Sequence, residues 1–144
     1  MKADAMTESA VKTVLDKVTE GYAKRDISLL LSAFAPDPDV VMYGTGADEK
    51  RIGLTGIQAQ AERDWSQSES ASVTYDWISV SSAGSVAWAA TDASFNLKAD
   101  GQEMTLRARI TFVLENRREQ WLIVQAHFSF PAAGQGEGES FPVE

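Results

Sequence analysis

The chain predicts an α+β fold in which three helices from the first half cover one curved antiparallel sheet. Three observations carry that reading. Apolar residues recur at helical spacing up to Trp65. The period shifts to two from Ser70 onward. Short polar turns then separate four apolar runs, which is the pattern of a meander packed against helices.

The elements follow in order. Thr7 reads as the cap of a first helix whose Val11, Val14, Leu15, Val18 and Tyr22 form one stripe, with Lys12, Asp16, Lys17 and Glu20 on the wet side. Asp26 reads as the cap of a second helix, Ile27 to Phe34, stopped by Pro36 and Pro38. Asp39 to Tyr43 is a short strand, and Gly44-Thr45-Gly46 opens a polar loop that runs to Gly53. Thr55-Gly56-Ile57-Gln58 has the form of a capping box for a third helix through Ala61 and Trp65. Strands are expected over Ser72–Val80, Val86–Leu97, Thr105–Leu114 and from Trp121 to the ladder-stopping Pro131. Ala99-Asp100-Gly101 supplies one hairpin turn, and Asn116 to Gln120 another. A single domain over residues 1–131 is expected, with a loose, Gly- and Glu-rich tail over 132–144.

Composition narrows function. At 144 residues the chain is one domain's worth. A net charge of −8 argues against nucleic acid and anionic membranes as partners. With no cysteine and one histidine, neither a thiolate zinc site nor a two-histidine metal motif can form, and no cofactor is expected. No apolar run approaches the roughly 20 residues of a membrane helix, and Met1 to Thr7 lacks the apolar core of a signal peptide. A cytoplasmic protein is the expectation.

The last strand holds the sole histidine. Strict alternation groups Trp121, Ile123, Gln125, His127 and Ser129 on one face and Leu122, Val124, Ala126, Phe128 and Phe130 on the other. In the preceding strand Arg107, Arg109 and Thr111 oppose Leu106, Ala108, Ile110 and Phe112. Gly44-Thr45-Gly46 precedes no immediate helix, so a nucleotide loop is excluded.

Particular stretches carry a family resemblance. They are Tyr22-Ala23-Lys24-Arg25-Asp26 before Leu29-Leu30, and Phe34-Ala35-Pro36-Asp37. Asp39 to Gly46 follows, and Arg109-Ile110-Thr111 precedes the spacing Trp121, Val124, His127, Ser129, Pro131. Over about residues 7 to 131 the chain resembles the nuclear transport factor 2-like superfamily, which includes ketosteroid isomerases and SnoaL-type polyketide cyclases. The association domain of calcium/calmodulin-dependent kinases ends in a comparable Trp, His, Ser pattern. The resemblance implies a cone with a deep pocket and a homodimer built on the sheet's outer face.

Under that resemblance Arg109, His127 and Asp92 or Trp88 are expected to converge on the concave side. Arg109 would hold a carboxylate or enolate oxygen, or pair with Asp92 or Asp76. His127 or Asp92 would move a proton, or serve as structural partners. Tyr43, Trp65, Trp88 and Phe34 would supply walls. Tyr22 and Tyr43 are candidate phenols, but the Tyr plus two-Asp arrangement of ketosteroid isomerases is not matched. Three function classes follow: a small-molecule-binding domain whose organic ligand carries a carboxylate or carbonyl, an isomerase- or cyclase-like enzyme, and an oligomerisation module.

Overall fold

A computed structural model describes residues 1–143. Three helices, α1 (Ala5–Lys24), α2 (Ile27–Ser32) and α3 (Gly53–Ser66), accompany six strands. These are β1 (Val41–Tyr43), β2 (Lys50–Ile52), β3 (Ser70–Ala83), β4 (Val86–Ala99), β5 (Gln102–Arg117) and β6 (Gln120–Ser129). They form one sheet in the order β2-β1-β6-β5-β4-β3. The long meander expected from the alternation is present as β3–β6, and β1 joins it by pairing parallel to β6. The fold class is therefore the predicted α+β, with a curved and unclosed sheet.

Helix starts differ from expectation. Asp4, rather than Thr7, caps α1, its Oδ1 accepting from the Thr7 amide at 2.8 Å. Asp26 caps α2 as expected, accepting from the Leu29 amide at 3.1 Å. No side chain caps α3, which begins two residues before Thr55. Gly53, at φ +71°, turns the chain there while its amide donates to the Val40 carbonyl at 2.8 Å. That left-handed backbone is open to glycine and strained for other residues. Lys50–Ile52, within the expected loop, is a strand because it pairs antiparallel with β1. Three polar or isolated residues give no alternation from which to read it.

The core lies between the helices and one face of the sheet. Val11, Val14, Leu15 and Val18 of α1 are buried in one cluster with Ile110, Phe112 and Leu114 of β5 and Ile123 of β6. The stripe read for α1 is thus its packing face. α2 ends against β6, where Ala35 donates to the Ile123 carbonyl and Ile123 to the Ala33 carbonyl, both at 2.8 Å. This clamp holds Phe34 at the base of the helical layer. The turn between α1 and α2 is tied to the end of α3 by Arg25, which donates to the carbonyls of Trp65 at 2.9 Å and Ser68 at 2.8 Å.

Two β-bulges reset the side-chain parity. On β6, Val113 pairs with Gln125 and Leu114 with Ile123, which leaves Val124 as the extra residue. Ile123 and Ala126 both point into the core, whereas Gln125 and His127 are exposed. On β3 the register shifts between Tyr75 and Trp77, so Asp76 is extra and the buried set moves from Ala71 and Val73 to Val80. An inserted residue sends every later side chain to the opposite face. The strict alternation read along 121–130 therefore holds only after Val124, and Ile123 does not share a face with His127.

The first edge of the meander is partly covered by the start of the chain. Ala3 donates to the Val80 carbonyl at 3.1 Å and Ser82 to the Met1 carbonyl at 2.9 Å, a short pairing that satisfies part of an open edge. At the far end of β5, Arg117 grips Asp37 in the α2–β1 loop with both terminal nitrogens and Glu115 with Nε. Residues 131–143 are exposed, with Val143 donating to the Gly134 carbonyl at 2.8 Å. Glu144, the last residue of the expected tail, lies outside the described residues. No helix among the described residues is long and apolar enough to cross a membrane.

Candidate functional site

A cavity of about 80 Å³ lies between the helices and the sheet. Its walls are mostly apolar: Val18 and Leu30 from the first two helices, Ile57 and Ala61 from α3, and Val73 and Ile110 from the sheet. Five aromatic rings complete them, Tyr22, Phe34, Tyr75, Phe95 and Phe128. Several of these rings meet edge to face, Phe95 with Tyr22 at 6.5 Å and with Phe128 at 6.3 Å.

Polar groups gather at one end. Asp64 Oδ2 accepts from the Tyr22 hydroxyl at 2.7 Å, and its Oδ1 accepts from Gln60 Nε2 at 2.8 Å. Gln60, only 4% exposed, in turn accepts from Arg51 Nε through Oε1 at 2.9 Å. The arginine can only donate, so the amide oxygen must face Arg51 and the NH2 must face Asp64. The chain Arg51–Gln60–Asp64–Tyr22 is thus fully directed. α3 builds it: Ile57, Gln60, Ala61 and Asp64 stand three or four residues apart on one helical face, which aims two polar side chains at the sheet together with two apolar ones.

Burial, followed by the neighbouring charge of Asp64 and the more distant one of Glu49, pushes the Tyr22 phenol well above its ordinary value of 10.0. It stays protonated as the donor to Asp64. Burial likewise raises Tyr75, with a smaller contribution from Asp16, and the Tyr75 hydroxyl donates to the Leu15 carbonyl at 3.1 Å. Among the described residues no buried side-chain polar atom lacks a partner.

The β1–β2 hairpin borders the cavity through Gly44, Thr45 and Glu49. Glu49 Oε2 accepts from the Gly46 amide at 3.0 Å and meets Arg63 of α3 at 3.3 Å. Arg63 also holds Asp48 at 2.9 Å. The two glycines leave room for this carboxylate, since a Cβ at Gly44 would stand 2.2 Å from Glu49 Oε1 and one at Gly46 2.3 Å from Oε2.

Of the residues singled out from sequence, Phe34 and Tyr22 line the cavity. Trp65 stands behind Tyr22, its indole N–H donating to the Tyr22 carbonyl at 3.0 Å. The others lie elsewhere. Arg109, Asp92 and His127 are exposed on the sheet face turned away from the helices, where Asp92 pairs in register with Arg109 and Arg109 with Ser129. Half-buried Trp88, between buried Ala87 and Ala89, belongs to that face too. Tyr43, 44% exposed, sets its ring 5.2 Å from that of His127. The expectation that these side chains converge on the concave side is corrected by the location of the core. The sheet buries its apolar face under the helices, and charged side chains placed there would lose hydration without compensation. Asp64 and Gln60 were not singled out from sequence, although a carboxylate and an amide on the apolar stripe of α3 are a readable signal.

A helix-covered, unclosed sheet around an internal cavity is the cone architecture of nuclear transport factor 2-like proteins. The chain belongs to the SnoaL-like domain family, whose sequence model matches residues 11–133. Among solved structures it is similar to a nuclear transport factor 2-like superfamily protein from Salmonella enterica, with TM-score 0.80, 19% identity, and 94% and 99% of the two chains covered. It is also similar to a candidate dehydratase of that family from Streptomyces avermitilis, with TM-score 0.80, 15% identity and coverage of 90% and 100%. A third likeness is to a candidate calcium/calmodulin dependent protein kinase II association domain from Xanthomonas campestris, with TM-score 0.74, 24% identity and coverage of 85% and 86%. At these identities the likeness is one of fold. No curated protein matches the chain.

Proposed function

We propose that the protein binds a small organic molecule in the cavity between its helices and its sheet. One observation carries this reading: a mostly apolar cavity has its polar groups gathered at one end, around Asp64. Binding sites for small molecules combine apolar walls with a few convergent polar groups that fix orientation. Each Asp64 oxygen accepts one hydrogen bond and retains capacity for a second, so a ligand can be held without breaking the Tyr22 or Gln60 bond.

Filling the cavity tests the reading. Ala61 is 4% exposed and faces it, so Ala61→Leu adds three carbons to the space a ligand needs. Small polar and apolar probes should perturb the backbone amide resonances of Tyr22, Gln60 and Asp64 in the unaltered protein. In Ala61→Leu the same probes should lose affinity by about tenfold or more, equivalent to about 1.4 kcal/mol. Equal binding by the two proteins would remove the cavity as the site.

A second reading, catalysis by proton transfer, is favoured by the position of Asp64. A carboxylate at the end of an apolar cavity is placed to take a proton from a bound carbon acid or hydroxyl. Tyr22 would then hold Asp64 in orientation. The description of the Streptomyces avermitilis structure as a candidate dehydratase supports keeping this reading beside the first. It transfers the acid–base role from His127 and Asp92 to the cavity side.

We further propose a homodimer formed through the outer face of the sheet. That face carries Trp88, Thr111, Val113 and His127 in adjacent rows, with Trp77 54% exposed at its side. Asp92 and Arg109 lie opposite each other across β4 and β5, yet among the described residues no ion pair joins them. In a two-fold interface Asp92 of one copy can meet Arg109 of the other, and the reverse. Val113→Arg places a charge at the middle of this face. Light scattering should show a dimer for the unaltered protein and a monomer for this variant, with the helical signal unchanged; a dimer in both would exclude the face.

A further inference from the structure

We propose that the ligand of the cavity is a small organic cation, an alkylammonium compact enough to sit against Asp64 with its hydrocarbon part among the aromatic rings. The inference rests on the binding reading above and adds the charge and size of what is bound.

Charge is the first argument. The cavity lining includes two carboxylates, Asp64 and Glu49, and none of the described lining residues is Lys, Arg or His. The nearby guanidinium groups lie outside the wall. Arg51 donates to Gln60, and Arg63 is shared between Asp48 and Glu49. Glu49 therefore has a cationic partner, whereas the two observed partners of Asp64, Tyr22 and Gln60, are neutral. Asp64 and, less, Glu49 add to the upward push that burial gives the Tyr22 phenol, with Arg25 opposing them, as fits two carboxylates near this end of the cavity. An anionic ligand, as expected when Arg109 was placed inside, would meet like charge there. A cation would meet an acceptor with spare lone pairs.

The walls make the second argument. Tyr22, Phe34, Tyr75, Phe95 and Phe128 all line one small space. Aromatic rings within about 6 Å of an ammonium attract it through their negative faces, and more strongly where water is excluded. Neutral apolar ligands gain from the same walls but not from this term. Size is the third. A cavity of about 80 Å³ holds about five to eight water-sized groups, which suits a branched four-carbon amine.

Three probes share one carbon frame and differ in charge: isobutylammonium, isobutanol and isobutyrate. NMR titrations at pH 7 on the full chain would follow the amides of Tyr22, Gln60 and Asp64. Isobutylammonium should bind about tenfold or more tighter than isobutanol, and isobutyrate more weakly than either. In Asp64→Asn the ammonium-to-alcohol preference should collapse toward one. Glu49→Gln should lower it less, because Arg63 already offsets that charge, and it decides the matter if Asp64→Asn does not fold. If isobutanol binds as tightly as the ammonium, or isobutyrate binds as tightly as either, the cationic assignment is overturned while the binding site stands. If none of the three perturbs the cavity amides at the highest soluble concentration, the assignment and the binding reading both fall.

Discussion

Phe112→Ala is expected to lower the unfolding free energy by about 3–5 kcal/mol, read from the midpoint of a urea transition at unchanged slope. Phe112 is 1% exposed in mid-β5, inside the cluster that joins α1 to the sheet. Its ring stands edge to face with Tyr75 at 6.4 Å and with Phe128 at 6.2 Å. Truncation removes the buried ring and leaves a void, since Phe112 is paired on both sides, with Ala89 of β4 and Ala126 of β6, and these small neighbours cannot fill it. Tyr75 and Phe128 also line the cavity, so a loosened Phe112 position should broaden the resonances of both rings. A loss below about 1 kcal/mol would mean that the sheet collapses around the site more readily than its pairing implies.

Gly21→Ala is the second large effect, and two opposing terms decide its sign. In a helix interior alanine is favoured over glycine by about 1 kcal/mol. Against that, a Cβ at Gly21 would stand 2.6 Å from the Leu30 amide nitrogen and 2.9 Å from its Cα. Both are backbone atoms of α2, so no side-chain rotation relieves the contact. The helices must separate, at a cost of overpacking that is typically 1–3 kcal/mol and here outweighs the propensity gain. Net destabilisation of up to about 2 kcal/mol is expected from thermal or urea unfolding. Leu30 is the residue contacted, Tyr22 follows Gly21 in α1, and both line the cavity, so probe affinity should fall in the same variant. A more stable Gly21→Ala protein would show that α1 and α2 do not approach as closely in solution.

Much of the cavity was legible in the chain, though not as a cavity. Val18 and Tyr22 on the α1 stripe, and Phe34 after the second helix, were read correctly as inward residues. Asp64 and Gln60 of α3 are the cavity residues that the expected capping box at Thr55 does not point to. Their spacing from Ile57 and Ala61 would have exposed them, because polar side chains on a packing face must find partners there. Arg109, Asp92 and His127 drew the opposite error. Their types suit chemistry, but residue type carries no direction, and they occupy the face that the helices do not cover.

Local rules were enough for the helix stripes, the Asp26 cap, the polar turns and the four-strand meander, because periodicity and turn chemistry act over a few residues. They also sufficed for the α+β class, since helices and a one-sided sheet have few ways to bury their apolar faces. The parallel docking of β1 on β6, the bulges at Val124 and Asp76, and the meeting of Tyr22 with Asp64 across 42 positions were not within their reach. Each depends on pairing between distant segments. A strand's inward face, and with it the placement of every candidate side chain, follows from which partner surface buries it, and that surface exists only once the chain has closed on itself.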